Sequence, residues 1–101
     1  MEVFKLTKPI MVNGEEVKEL PYDFENMSAK DKIDVGKEMK AAGVPMSVAE
    51  IDSDYHFYLF AKAVSKANAA ITTADVMRMS AKDADRAAAL ARNFFYLNSE
   101  E

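Results

Sequence analysis

An α+β domain, with an N-terminal β-hairpin packed on a bundle of about four α-helices, is the architecture this 101-residue chain predicts. Three observations lead there. Asn13-Gly14 divides two β-friendly runs, and both residues tolerate the positive φ of a type I′ hairpin turn. A serine or threonine followed three residues later by an acid recurs at Ser28, Ser47, Thr72 and Ser80, the signature of a helix N-terminus. Behind those starts, apolar residues return at spacings of three and four rather than two. At this length a single domain over 1–101 is expected, with residues 1–25 as the hairpin and 28–98 as the helical part.

The hairpin reads from Val3 to Phe24. Phe4 and Leu6 share one face by alternation, as do Ile10 and Val12. Pro9 lacks a ladder donor, so it is expected at an edge, at a bulge or where pairing stops, and Pro21 limits the second strand in the same way. A lone hairpin is marginal in water, so it must pack on the helices or on another copy of itself.

The first helix is expected over 29–42, stopped by Gly43, a left-handed C-cap position. The second opens on Ser47-Val48-Ala49-Glu50, a capping box, and runs to about Ala69. Ile51, Tyr55, Tyr58 and Leu59 fall on one side of it, and Phe57, Phe60, Ala61 and Val64 on the adjoining side. Apolar over much of its circumference, it should be central to the core. A short helix follows from Thr72 to about Met79. The last runs over 81–97, with Ala84, Ala87, Ala88 and Ala91 forming a smooth face and Leu90, Phe94 and Leu97 a larger ridge. Met27-Ser28-Ala29-Lys30-Asp31 recurs as Met79-Ser80-Ala81-Lys82-Asp83, which two separately capped helices explain.

The net charge is −4. Split at Pro45, the chain carries 7 basic and 9 acidic residues before and 6 and 8 after, so no basic segment is segregated. Nucleic-acid binding through phosphate neutralisation is not expected on that balance. The absence of cysteine removes disulfides and thiolate chemistry and fits a reducing compartment. No basic start with an apolar run suggests a signal peptide, and the longest near-apolar run, Tyr55 to Ala61, is too short to span a bilayer.

No residue is assigned a catalytic, cofactor or metal role. His56 is the only histidine and reads as a helix residue beside the core, touching solvent or a backbone partner. Asp52 with Asp54, and Asp83 with Asp85, stand two apart and diverge on a helix. They read as N-terminal acids favoured by the helix dipole. The three glycines are isolated, so no phosphate-cradling loop is present.

Seven of the ten aromatics fall in two windows, Tyr55, Phe57, Tyr58 and Phe60, and then Phe94, Phe95 and Tyr96. Successive helical residues diverge by about 100°, so such runs should leave some rings exposed, as interaction surfaces do. Tyr55, Phe57, Phe60, Phe94, Phe95 and Tyr96 are the candidate partner-binding residues. The competing reading wraps core around both sides of the central helix. Seven methionines suit either core filling or an adaptable binding face. Self-association through the hairpin edge or the aromatic windows is compatible with the pattern.

The segment Leu6-Thr7-Lys8-Pro9-Ile10, then Asn13-Gly14 and Val17-Lys18-Glu19-Leu20, resembles the opening of a group of tail assembly chaperones from Mu-like and related phages and prophages. Ser28 to Asp31, Ser80 to Asp83 and Phe94 match the helix starts and the phenylalanine-bearing end of that group. Tyr22-Asp23-Phe24-Glu25 departs from it, because many relatives carry an arginine-proline step there. The resemblance implies a non-enzymatic protein of the host cytoplasm. It would cover the tape measure protein until tail tube subunits polymerise; from the charge balance and the short apolar runs, no nucleic acid and no membrane are expected among its partners. A small structural tail or connector component retained in the virion is the alternative. Some tail chaperones are extended by a −1 ribosomal frameshift, and Tyr96-Leu97-Asn98 can be encoded as UAU UUA AAC, which contains the slippery heptamer. The gene sequence decides whether a longer form exists.

Overall fold

The computed structural model describes residues 2–97. Two antiparallel strands, β1 (Glu2–Val12) and β2 (Glu15–Tyr22), are followed by α1 (Ala29–Ala41), α2 (Ser53–Ala67), a single turn α3 (Thr73–Val76) and α4 (Ala81–Arg92). A π-helical turn, Asn93–Leu97, continues α4. The architecture is the predicted α+β one. The helical part was expected to reach residue 98, and both that end and the Asn98 codon of the proposed frameshift site lie outside the described residues.

Asn13 and Gly14 take φ of 52° and 82°, so the turn is the one its dipeptide favours. The register runs Val12↔Glu15, Met11↔Glu16 and Ile10↔Val17, breaks, and resumes at Lys5↔Glu19 and Phe4↔Leu20. Four residues of β1, Leu6 to Pro9, thus face one residue of β2, and Pro9 sits in the bulge, where a missing donor costs no ladder bond.

The bulge is held from outside the sheet. Asp83 at the start of α4 accepts from the Thr7 amide at 2.9 Å and the Thr7 hydroxyl at 3.0 Å. It also accepts from the Lys8 amide at 3.4 Å. Arg86 donates to Asp83 at 2.7 Å and to the Lys5 carbonyl at 3.2 Å, with its guanidinium 4.6 Å from the centre of the Phe4 ring. Arg78 donates to the Met11 carbonyl at 2.9 Å. Side chains of the α3–α4 region therefore occupy backbone groups along β1 that would otherwise be open to strand addition. A second copy pairing with this edge would have to displace them.

α1 ends as expected. Gly43 has φ 77°, its N–H bonds the Lys40 carbonyl at 3.1 Å, and the Val44 N–H bonds the Met39 carbonyl at 2.9 Å, the paired bonds of a Schellman stop. Gly36 lies inside α1, and a methyl added there would meet only Met46 Cε at 3.9 Å. Gly36→Ala should therefore raise the unfolding free energy by about 0.5–1 kcal/mol, through loss of unfolded-chain entropy; urea denaturation checks it.

α2 corrects the sequence reading at its start. It begins at Ser53, not Ser47, because Asp52 is the N-cap. Asp52 Oδ1 accepts from the Tyr55 amide at 2.9 Å, while Oδ2 accepts from the Ser47 amide at 2.7 Å and the Ser47 hydroxyl at 3.0 Å. The hydroxyl read as a cap for Glu50 is thus taken by a carboxylate five residues on. Ile51, expected on the apolar side of that helix, is left 74% exposed in the loop. α2 is central, as expected: Leu59, Phe60, Ala61, Ala63 and Val64 have no solvent exposure. It packs on α4, α1, α3 and β2, with the half-buried Ala84 and the buried Ala87, Ala88 and Ala91 supplying the small-residue face of α4. No helix among the described residues is long and apolar enough to cross a membrane.

Candidate functional site: two aromatic clefts along α4

The six candidate partner-binding aromatics separate into two groups. Tyr55 and Phe60 are core residues, 5% and 0% exposed. Phe60 meets Phe4 at 5.0 Å, Tyr22 at 5.5 Å and Phe24 at 6.4 Å, so the hairpin covers the side of α2 that the sequence left open to a partner. Burial, with the Tyr96 hydroxyl beside it, pushes the Tyr55 phenol up. Phe57, Phe94, Phe95 and Tyr96 are half-buried.

The second window is placed by its backbone. In a regular α-helix, three consecutive rings would diverge widely around the axis. The π-helical turn, with hydrogen bonds to i+5, widens the coil at this point. Phe94 stacks on Phe24 at 5.1 Å, and Phe95 meets the same ring edge-on at 5.4 Å. Tyr96 turns to His56 at 5.5 Å. The Lys32 ammonium lies 5.7 and 5.3 Å from the Phe95 and Tyr96 ring centres, within cation–π range. All three rings therefore find partners on the body of the protein, and Leu97 is left 60% exposed.

Two half-open clefts result. The first, of about 350 Å³, lies where the open end of the hairpin meets the end of α4, lined by Glu2, Tyr22, Asp23, Phe24, Glu25, Leu90, Asn93 and Phe94. Its hairpin wall alternates aromatic and acidic residues from Tyr22 to Glu25, with Tyr22 and Phe24 buried and the carboxylates at the rim. The second, of about 310 Å³, has Val44, Phe57, Tyr58, Met77, Ala84 and Ala88 as its apolar lining and Asp54 and Asp85 among its polar residues. Met77 is 53% exposed. Met11 and Met46 are also exposed, whereas Met39 and Met79 are buried, so methionine serves both core and surface.

Sequence reasoning missed the first cleft's hairpin wall. The signal was present in the period-two alternation of Tyr22-Asp23-Phe24-Glu25, which turns aromatics one way and acids the other.

His56 is buried, and its Nε2 lies 2.8 Å from the Ala49 carbonyl. A carbonyl only accepts, so Nε2 carries the proton. Ser53, His56 and Asp85 border one shallow depression of about 210 Å³, but among the described residues no hydrogen bond joins Ser53 to His56. No group of three His, Asp or Glu among the described residues is placed to hold a metal ion.

Four buried aspartates sit at or next to helix caps. Asp31 and Asp75 close full capping boxes with Ser28 and Thr72; Asp52 and Asp83 reach farther, as described. Amide hydrogen bonds from Ser28 and Thr72 hold Asp31 and Asp75 below the usual carboxylate value. For Asp52 and Asp83 burial acts the other way, and the donors of Ser47 and Tyr55, and of Thr7, Lys8 and Arg86, outweigh it. A carboxyl that is more acidic folded than unfolded stabilises above its unfolded pKa, and that contribution is lost as pH falls through the folded value. These four groups should therefore contribute fully above about pH 5 and progressively less below the unfolded aspartate value of about 3.9. Urea midpoints measured from pH 7 down to 2 check this.

Comparison with protein-family models, with curated proteins and with solved structures finds no match to this chain.

Proposed function

We propose that this protein is a non-enzymatic tail assembly chaperone of a phage or prophage, binding the tape measure protein in the host cytoplasm until tail tube subunits assemble around it. The reading rests on the resemblance of Leu6 to Leu20, Ser28 to Asp31, Ser80 to Asp83 and Phe94 to that group. The observation that best supports a client-binding role is the pair of half-open aromatic clefts. A chaperone for a long apolar helical protein needs small adaptable surfaces repeated over many copies, so that modest contacts add by avidity and still release. The engagement of the only histidine by a backbone carbonyl also favours binding over catalysis.

A tagged pull-down from cells assembling tails, with bound proteins identified by mass spectrometry, tests the reading. Enrichment of one very long helical protein is expected, together with absence of this chain from purified virions. Its retention in virions, or recovery of mature tail proteins alone, would favour the structural component. Recovery of nucleic acid without any tail protein would overturn both.

A further inference from the structure

The turn that closes the hairpin is also a chemically labile dipeptide. Asparagine is thermolabile because the next residue's amide nitrogen can attack its side-chain carbonyl carbon, and glycine in that next position has no Cβ to block the approach. Asn13 and Gly14 are both exposed, and a Cβ added at Gly14 would meet nothing within 4 Å. Among the described residues, no backbone carbonyl accepts from the Gly14 N–H. The other described asparagines differ. The Asn26 side-chain amide donates to Asp23 at 2.7 Å, and the Met27 N–H behind it donates to the Phe24 carbonyl at 3.1 Å. Asn68 Oδ1 accepts from the Ala70 amide at 3.0 Å. Asn93 lies in the helical continuation of α4 and precedes Phe94.

We propose that Asn13 is a site of spontaneous deamidation, and that the reaction loosens the turn end of the hairpin. The Gly14 nitrogen, having lost its proton to hydroxide, bonds to Asn13 Cγ; the Cγ–Nδ2 bond breaks, and ammonia leaves with a proton taken from water. Water then opens the cyclic imide. Addition at Cγ gives an aspartate with the main chain intact, and addition at the main-chain carbonyl carbon gives isoaspartate, whose chain runs through Cβ and Cγ and is one carbon longer. Either product adds a carboxylate beside Glu15 and Glu16. Only isoaspartate lengthens the loop, so it alone disturbs the Val12↔Glu15, Met11↔Glu16 and Ile10↔Val17 pairs. Ile10 and Val12 are buried, and Arg78 holds the Met11 carbonyl, so the change reaches the core and the α3–α4 region. The far end of the hairpin stays anchored by Phe4 on Phe60 and by Thr7 on Asp83.

Ageing the full chain at mildly acid and mildly alkaline pH, followed by peptide mass mapping against synthetic aspartate and isoaspartate standards, tests it. Exchange of amide for acid is expected first in the peptide carrying Asn13, and faster at the alkaline pH. The turn end needs only local opening, so the folded chain should react at no less than about a tenth of the rate of the chain in urea. NMR of the aged chain should show a second set of peaks at residues 10–17, in proportion to isoaspartate. Freshly prepared Asn13→Asp, whose Asp-Gly pair suits the same turn, should lack that set. A slower folded rate, earlier reaction at any other asparagine, or a second set in fresh Asn13→Asp would overturn the proposal. So would isoaspartate formed with no change at residues 10–17.

Discussion

Asp83→Ala is expected to lower the unfolding free energy by about 3 kcal/mol, because it removes a fully buried carboxylate that accepts four hydrogen bonds at once, one of them from a guanidinium. The carboxylate has no solvent exposure. It gathers the Thr7 amide and hydroxyl, the Lys8 amide and the Arg86 guanidinium at one point, and so ties the strand bulge to the start of α4. Ser80→Ala, which removes only the hydroxyl that accepts from the Asp83 amide at 3.2 Å, should cost about 1 kcal/mol, the ordinary value of an N-cap. Urea denaturation of both variants separates the two roles, and faster hydrogen exchange at Thr7 and Lys8 in Asp83→Ala would locate the damage. A loss no larger than that of the Ser80 variant would mean the bulge is held by β1 itself.

Phe60→Ala should cost about 4 kcal/mol, in the range for deleting a fully buried aromatic. The ring has no exposure and joins Phe4, Tyr22 and Phe24, so its removal opens a void between α2 and both strands. Phe57→Ala, three positions earlier and lining the second cleft, should cost about 1 kcal/mol, because the ring is only partly buried. Thermal melts of the two variants distinguish the core aromatics from the cleft aromatics. Equal losses would show that the first aromatic window acts as one unit.

Features legible in the sequence were those set within a few residues. The Asn13-Gly14 turn, the Schellman stop at Gly43 and the caps at Ser28, Thr72 and Ser80 each depend on a local hydrogen bond or a local φ preference, whereas Pro9 left an edge, a bulge and an end of pairing all open. The central position of α2 was legible because an apolar run wider than one helical face must be covered on more than one side. Where two local signals competed, pattern alone chose wrongly: Ser47 and Asp52 both suit an N-cap, and the carboxylate took the helix together with the serine hydroxyl.

Tertiary structure decided the rest. Ser28 to Asp31 and Ser80 to Asp83 carry the same residue types, yet Asp31 folds back on its own cap while Asp83 reaches 76 residues away to Thr7. Only the second has strand amides within reach. The aromatic windows were visible, but not which rings face inward, because Phe60 is covered by Phe4, Tyr22 and Phe24 of the hairpin and Tyr55 lies beside Tyr96, all far from them in sequence. The π-helical turn that gathers Phe94 and Phe95 on Phe24 has no period of its own in so short a segment. Composition, turns and caps are properties of neighbouring residues, and one sequence determines them directly. The destination of a buried carboxylate and the walls of a cleft depend on which distant surfaces meet, and packing alone determines that.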